Sequence, residues 1–357
     1  MHVPKSSILE VKPYVPGKAT VDTAVRIVKL SSNENPMGPS PRAKEAYAQV
    51  AGTLHRYPDV NATALRQAIA GVYGLREEQI VCGAGSDELI GLLVQAFTAP
   101  ADEVLYSEYG FLMYRIYALT HGAVPVVAPE AHLRTDIEAL LAAVTPRTRL
   151  VFIANPNNPT GSCLSREEIA ALRAKLPAEV LLVIDAAYAE YVQDDGYTPG
   201  ADLVDKGENV VMLRTFSKVY GLPALRLGWA YASQEVVDIL QRVRGPFNVS
   251  MPAQYAGAAA VQDTEYTRQA VHNNALWRQE LMQALQRLGL EVLPSEGNFL
   301  LVRFVSAQMA AQVNTQLMQR GILVRDVIPY NLPEYLRISV GLPEENQALV
   351  EALQTIL

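Results

Sequence analysis

Between residues 103 and 231, short apolar runs alternate with helical stretches, and no other feature narrows the possible folds as far. The runs are Glu103–Tyr106, Val124–Val127, Leu150–Ile153, Val180–Ile184, Val210–Leu213 and Leu225–Tyr231. They are continuously apolar rather than alternating, the pattern of strands covered on both faces. Helical stretches near 110–120, 135–143, 166–175 and 234–243 lie among them. Ser165-Arg166-Glu167-Glu168 has the form of a capping box, and Pro177 marks the end of that helix. Strand–helix–strand repetition of this kind predicts an α/β fold with a largely parallel sheet between helices. Such sheets hold ligands beyond the carboxyl ends of their strands.

The residues just past those strand ends therefore carry the most information. After Ile153 comes Asn155-Pro156-Asn157-Asn158-Pro159-Thr160-Gly161. After Ile184 come Asp185 and Tyr188. After Leu213 come Thr215, Ser217 and Lys218, with Arg226 beyond the same loop. A lone lysine after a strand is usually a solvated one. In a cleft, however, its pKa can fall and its amine can form a Schiff base with an aldehyde. An amide, a carboxylate with a phenol, and an amine at three successive strand ends exceed what chance alternation supplies. Upstream, Ile80–Cys82 runs through Gly83 and Gly85 into a helix whose apolar face is Leu89, Leu92, Leu93, Ala96 and Phe97. The glycines let backbone amides approach an anion, and Ser86 stands where an N-cap belongs. No Gly-Lys-Ser/Thr follows, so this is not a nucleotide P-loop. Taken alone, a glycine turn that merely starts a helix explains the segment better.

Residues 1–35 read as an extended arm, because Pro4, Pro13, Pro16 and Gly17 break any helix. Tyr14 lies in its stiffest turn, placed either to reach across a cleft or to anchor the arm. Leu30–Pro41 is an ordered loop or linker, followed by a helix at about 41–51. The turn His55-Arg56-Tyr57-Pro58-Asp59 precedes a helix from Ala62 to Tyr73 with Gly74 at its C-terminal cap. From about residue 256 the texture changes. A helix at 263–288, strands at Glu291–Leu293 and Phe299–Phe304, a helix at 306–320, strands at Ile322–Arg325 and Tyr335–Val340 and a helix from Glu344 indicate a smaller α+β domain. The expected division is 41–255 for the large domain, and 1–40 with 256–357 for the arm and small domain.

At 357 residues, 50% hydrophobic and 19% charged, the composition is that of an ordinary globular protein with room for two cores. A net charge of −7 argues against nucleic acid or an anionic membrane surface as partner. Cys82 and Cys163, the only cysteines, suit a reducing cytoplasm and exclude a disulfide framework. The N-terminus lacks the apolar core of a signal peptide, and no run approaches the roughly 18 apolar residues of a membrane span. The five histidines (His2, His55, His121, His132, His272) are scattered, and no metal site is expected.

Pyridoxal phosphate requires a lysine for its aldehyde and a carboxylate that keeps its ring nitrogen protonated. It also requires donors to its phenolate oxygen, a cradle for its phosphate and an aromatic face against its ring. The strand ends supply these in order. The sequence resembles the class I/II, fold-type I PLP-dependent aminotransferases, and most of all their histidinol-phosphate branch. The likeness runs along nearly the whole chain, from Val11-Lys12-Pro13-Tyr14 to Leu336-Arg337-Ile338. Asn155–Gly161 together with Thr215-Phe216-Ser217-Lys218-Val219-Tyr220-Gly221-Leu222 carries it most specifically.

That resemblance implies a catalytic set of Lys218, Asp185 and Tyr188. Lys218 would hold the cofactor's aldehyde and move the substrate proton, while Asp185 pairs with the ring nitrogen. Asn158 and Tyr188 would donate to the phenolate oxygen. Ser86, Asp87 through its backbone amide, Thr215, Ser217 and Arg226 would cradle the phosphate. Phe111 would stack on the ring, with Tyr109 the weaker candidate. Tyr57 would reach the phosphate from a neighbouring subunit, which implies a homodimer with shared active sites. Tyr14, Asn33, Arg325 and Arg337 would bind substrate. The implied reaction passes an amino group from a small-molecule donor to a 2-oxo acid, with histidinol phosphate and 2-oxoglutarate as the expected pair in histidine biosynthesis. Phenylalanine or tyrosine transamination is the main alternative; decarboxylation of threonine phosphate or a non-catalytic regulator are further ones. Several positions depart from the commonest pattern. Ala186 and Ala187 lie between Asp185 and Tyr188, while Met37, Pro223, Met251 and the stretch Asp326–Pro333 are less typical. None removes a cofactor residue, but together they leave the side-chain preference open.

Overall fold

The structure, a computed structural model, describes residues 4–13, 17 and 26–357; Tyr14 lies outside them. Seven strands form the main sheet: β1 (Ile80–Gly83), β2 (Glu103–Ser107), β3 (Val124–Ala128), β4 (Thr148–Ala154), β5 (Leu181–Asp185), β6 (Val210–Thr215) and β7 (Gly228–Tyr231). Their order is β1-β7-β6-β5-β4-β2-β3, and every neighbouring pair is parallel except those made by β7. The continuous apolar runs have a direct cause. Leu182 and Ile184 of β5 point into one core while Leu181 and Val183 point into another on the opposite face. Each such side chain is worth about 1.5–3 kcal/mol when fully buried, so both faces must be apolar. β3 lies at the edge, and most of its residues keep some exposure.

The last expected strand of this sheet begins later than the sequence reading places it. Pro223–Leu225 forms a 3₁₀ turn, and Arg226 has φ +49°, so pairing starts only at Gly228. Pro223 pre-sets the turn, and the left-handed residue after it breaks the extended run. β7 also runs against its neighbours. Helices cover the sheet: α1 (Pro41–Gln49), α2 (Thr63–Tyr73), α3 (Ser86–Phe97) and α4 (Met113–His121) lie among them. The capping box at Ser165 and Glu168 forms as expected, and Gly74 ends α2 with φ +66°.

A helix absent from the sequence reading, α5 (Met251–Gln262), starts at Ser250, whose hydroxyl accepts the Ala253 amide, with Pro252 in the first turn. It packs on α1 and α2, and Ala253, Ala256, Ala260 and Val261 join the first core. Residue 255, the expected boundary, lies inside this helix. α6 (Thr264–Arg287) follows.

Four further strands, β8 (Glu291–Val292), β9 (Phe299–Arg303), β10 (Arg325–Asp326) and β11 (Tyr335–Ser339), form an antiparallel sheet in the order β8-β9-β11-β10. Leu300, Val302, Leu336 and Ile338 fill its own core with Leu281, Leu285, Leu317, Leu349 and Leu353. The single strand expected at 322–325 is divided: Ile322–Leu323 pairs in parallel with Val28–Lys29, and only Arg325–Asp326 joins the sheet. The arm is likewise not extended throughout, because Ser6–Glu10 makes a 3₁₀ turn beside α4. Among the described residues no helix is long and apolar enough to cross a membrane, and no cluster of His, Cys, Asp or Glu could hold a metal ion.

Candidate active site

A cavity of about 480 Å³ opens at the carboxyl ends of the parallel strands. Ser86, Asp87, Phe111, Asn158, Asp185, Tyr188, Thr215, Ser217, Lys218 and Arg226 all line it. The reversed direction of β7 explains how Arg226 arrives there. In an antiparallel strand the first residue lies level with its neighbours' last, and Gly228 pairs with both Gly83 and Thr215. The glycines are sterically required. A Cβ on Gly228 would stand 2.2 Å from the Ser86 amide nitrogen, and one on Gly85 would stand 2.7 Å from the Arg226 guanidinium. Gly85, at φ +89°, takes the N-cap position expected for Ser86, which instead opens α3. The result is a helix N-terminus with a guanidinium against it, both lining the cavity, an anion cradle in form.

Lys218 sits half-buried in the cavity wall, with Nζ 3.4 Å from the Ser32 carbonyl oxygen and 5.6 Å from the centre of the Tyr188 ring. Burial, and next the positive charge of Arg337, pull its pKa down from 10.5 to about 8. Asp185, 5% exposed, has its carboxyl pushed up to about 6 by burial, against the opposing hydrogen bond from Tyr114. The Tyr114 hydroxyl donates to its Oδ2 at 3.0 Å, while Oδ1 is buried and without a hydrogen-bond partner. A buried carboxylate oxygen left unpaired beside a cavity is costly unless a donor enters that cavity.

Two arginines of the second sheet are not among the residues that line the cavity, but one of them reaches its wall through Asn158. Arg325 and Arg337 occupy directly opposed positions on β10 and β11, so their side chains leave the same face. Arg337 donates to Oδ1 of Asn158 and to the Ser31 carbonyl at 3.0 Å, and its guanidinium lies 5.6 Å over Phe299. Asn33 is not in the cavity lining; it is 1% exposed, and its Nδ2 donates to the Tyr188 hydroxyl at 3.0 Å. Tyr57 is also outside the lining, 80% exposed and stacked on Phe247 at 4.5 Å. Tyr109 packs instead with Val327, Tyr330, Leu332 and Tyr335.

A sequence model of the family described as aminotransferase class I and II matches residues 25–353. The chain belongs to the class I and II aminotransferases. This aminotransferase is 51% identical over 353 residues to the histidinol-phosphate aminotransferase of Paramagnetospirillum magneticum, covering 98% of this chain and 97% of that one. It is 52% identical to the enzyme of the same name from Dinoroseobacter shibae, covering 98% and 96%. Among solved structures it matches the histidinol-phosphate aminotransferase of Sinorhizobium meliloti in complex with pyridoxal 5′-phosphate, with TM-score 0.87, 33% identity, and coverage of 93% and 91%. The aminotransferase is a pyridoxal-phosphate enzyme, and its cavity fits that group. The unpartnered Asp185 oxygen awaits a donor, and the end of the cavity lined by Ser86, Thr215, Ser217 and Arg226 suits a phosphate.

Two sets of residues in the aminotransferase escaped the sequence reading. Tyr114, fully buried and stacked on Phe152 at 4.7 Å, supports Asp185 from behind. Arg214 and Glu190 form a buried pair at 2.7 Å, joined by the Tyr73 hydroxyl, which in turn contacts that of Tyr220. This pair ties the segment after β5, which carries Tyr188, to the end of β6, which leads to Lys218. Cutting one member of such a pair costs about 3–5 kcal/mol. The charges were visible in the sequence at strand and turn positions, but nothing there indicates that they meet.

Proposed function

We propose that this aminotransferase carries the amino group of histidinol phosphate to 2-oxoglutarate, yielding imidazole acetol phosphate and glutamate in histidine biosynthesis in the cytoplasm. The observation that carries the substrate reading is the opposed pair Arg325 and Arg337, with Arg337 bound to the cavity residue Asn158. Two guanidiniums leaving one face of the sheet concentrate positive charge there, and the planar fork of each suits phosphate or carboxylate. The phosphate of the donor and the carboxylates of glutamate would use that place in turn. The relatives named for histidinol phosphate support the same choice.

Bound pyridoxal phosphate supplies an aldehyde for the amino group and a ring that accepts the electron pair released when the substrate carbon loses its proton. The N-terminal amides of α3 at Ser86 and Asp87, the hydroxyls of Thr215 and Ser217, and Arg226 would hold its phosphate. The Asp87 carboxylate is engaged by the Tyr117 hydroxyl at 3.0 Å, which leaves its backbone as the contributing part. Phe111 would lie against the ring. Asp185 would hold the proton on the ring nitrogen, while Asn158 and Tyr188 would donate to the phenolate oxygen. Lys218 Nζ takes the proton from the carbon that bears the amino group. Its lowered pKa means that a neutral amine is available near physiological pH.

A panel of single half-reactions with histidinol phosphate, phenylalanine, tyrosine and threonine phosphate tests the choice, each followed by loss of the cofactor's visible band. Histidinol phosphate is expected to react with the highest efficiency. In the same assay Arg325→Ala should lower efficiency with histidinol phosphate by about 10–100-fold, the worth of a charged hydrogen bond, and with phenylalanine much less. Equal losses would reject phosphate recognition at Arg325.

The exposed Tyr57–Phe247 pair, outside the cavity of its own chain, supports a homodimer in which Tyr57 completes the neighbour's phosphate cradle. Sedimentation at assay concentration is expected to give a dimer, and Tyr57→Phe should weaken cofactor retention. A fully active monomer would remove Tyr57 from the site.

A further inference from the structure

Ser339 closes β11, two residues beyond Arg337, and is 3% exposed. Its Oγ accepts the Asn33 backbone N–H at 2.7 Å, and its own proton goes to Asn33 Oδ1 at 3.0 Å. A serine hydroxyl has one proton to give, and here it marks which end of the Asn33 amide is the oxygen. Nδ2 is thereby left facing Tyr188, where it donates to the phenolic oxygen at 3.0 Å. The Asn33 carbonyl accepts from Asn298 at 3.0 Å, so the backbone is held from a second side. Asn33 has φ +52°, a conformation asparagine tolerates better than most residues.

The orientation of that amide decides where the Tyr188 proton goes. A phenol that accepts from an amide N–H keeps its own O–H for another acceptor. With the amide turned over, Oδ1 would face the phenol and take that proton itself. We propose that Ser339 is a positioning residue that locks the Asn33 amide so that Tyr188 presents its proton to the cavity. This rests on the reading of Tyr188 as donor to the cofactor's phenolate oxygen. It gives Asn33 a role behind Tyr188 in place of substrate contact. It also links the strand of Arg337 to the charge state of the cofactor, because Ser339 and Arg337 lie two residues apart on β11.

The test is a pH titration of the visible absorbance of the holoenzyme without substrate. Donation to the phenolate oxygen favours the deprotonated chromophore, so losing it raises the titration midpoint. Ser339→Ala should raise the midpoint by about 0.5–1 pH unit, the size of one net hydrogen bond. Ser339→Thr, which keeps the hydroxyl, should restore it. In a Tyr188→Phe background, Ser339→Ala should cause no further shift, a result that a loss of packing alone would not give. An unmoved midpoint in Ser339→Ala, or an equal shift in the Tyr188→Phe background, overturns the proposal. A wild-type protein with no visible band overturns the cofactor reading along with it, whereas a band with an unmoved midpoint overturns Ser339 alone.

Discussion

Lys218→Ala is expected to lose transamination by about ten-thousand-fold or more, because one amine is both the attachment point and the group that moves the proton. Borohydride reduction followed by denaturation and mass measurement separates the two roles. Wild type should keep the cofactor's mass, and the variant should not; a variant that keeps it would move the attachment to another residue. The pH dependence follows from the sign of the Lys218 shift. Burial disfavours the ammonium form, so the folded pKa lies near 8 rather than 10.5. Capture of the cofactor by cofactor-free protein should therefore rise with pH through about 8 and level off above it. A rise centred near 10.5 would mean that Lys218 is solvated.

Asp185→Ala is expected to cut turnover by about 10²–10³-fold, the range found when a pre-placed electrostatic group is removed from a site of developing charge. Cofactor affinity should fall far less, because the phosphate cradle is built from other elements. The carboxylate is held from behind by Tyr114, so removing it also leaves a buried phenol without its acceptor. Part of any stability loss belongs to that hydroxyl, and Tyr114→Phe in the Asp185→Ala background should recover it in a thermal melt. Near-normal turnover in Asp185→Ala would reject its role at the ring nitrogen.

The parallel sheet and the contents of its strand ends could be read from sequence because both depend on local order. A strand buried on both faces must be apolar throughout, and a residue that follows it by one to five positions cannot be far from its end. What could not be read depends on pairings between distant segments. The direction of β7 is set by its neighbours at Gly83 and Thr215, and Leu225–Tyr231 looks the same in either direction. The register that sets Arg325 against Arg337 belongs to two strands with irregular chain between them. Tyr114 and Ser339 act through a neighbour's side chain, and a lone tyrosine in a helix or serine in a strand carries no local mark of it. α5 is a different case. Ser250 and Pro252 are a readable helix start, but the alanine- and glycine-rich stretch that follows has little amphipathic contrast because several of its faces meet other helices.

β1 lies at the edge of the main sheet, and among the described residues its one strand partner is β7, 151 residues later by the pairing of Ile80 with Tyr231. During synthesis the segment that ends at Gly83 therefore waits, with both edges open, until the chain has been made through Tyr231. Pairing at that separation carries a large loop-closure cost and is characteristic of slow steps. α3 and Arg226 are brought together in the same event, so the proposed phosphate site cannot form in a nascent chain before its main sheet is complete. Added cofactor should then leave early folding rates unchanged and act only after this last strand is inserted, by slowing its departure.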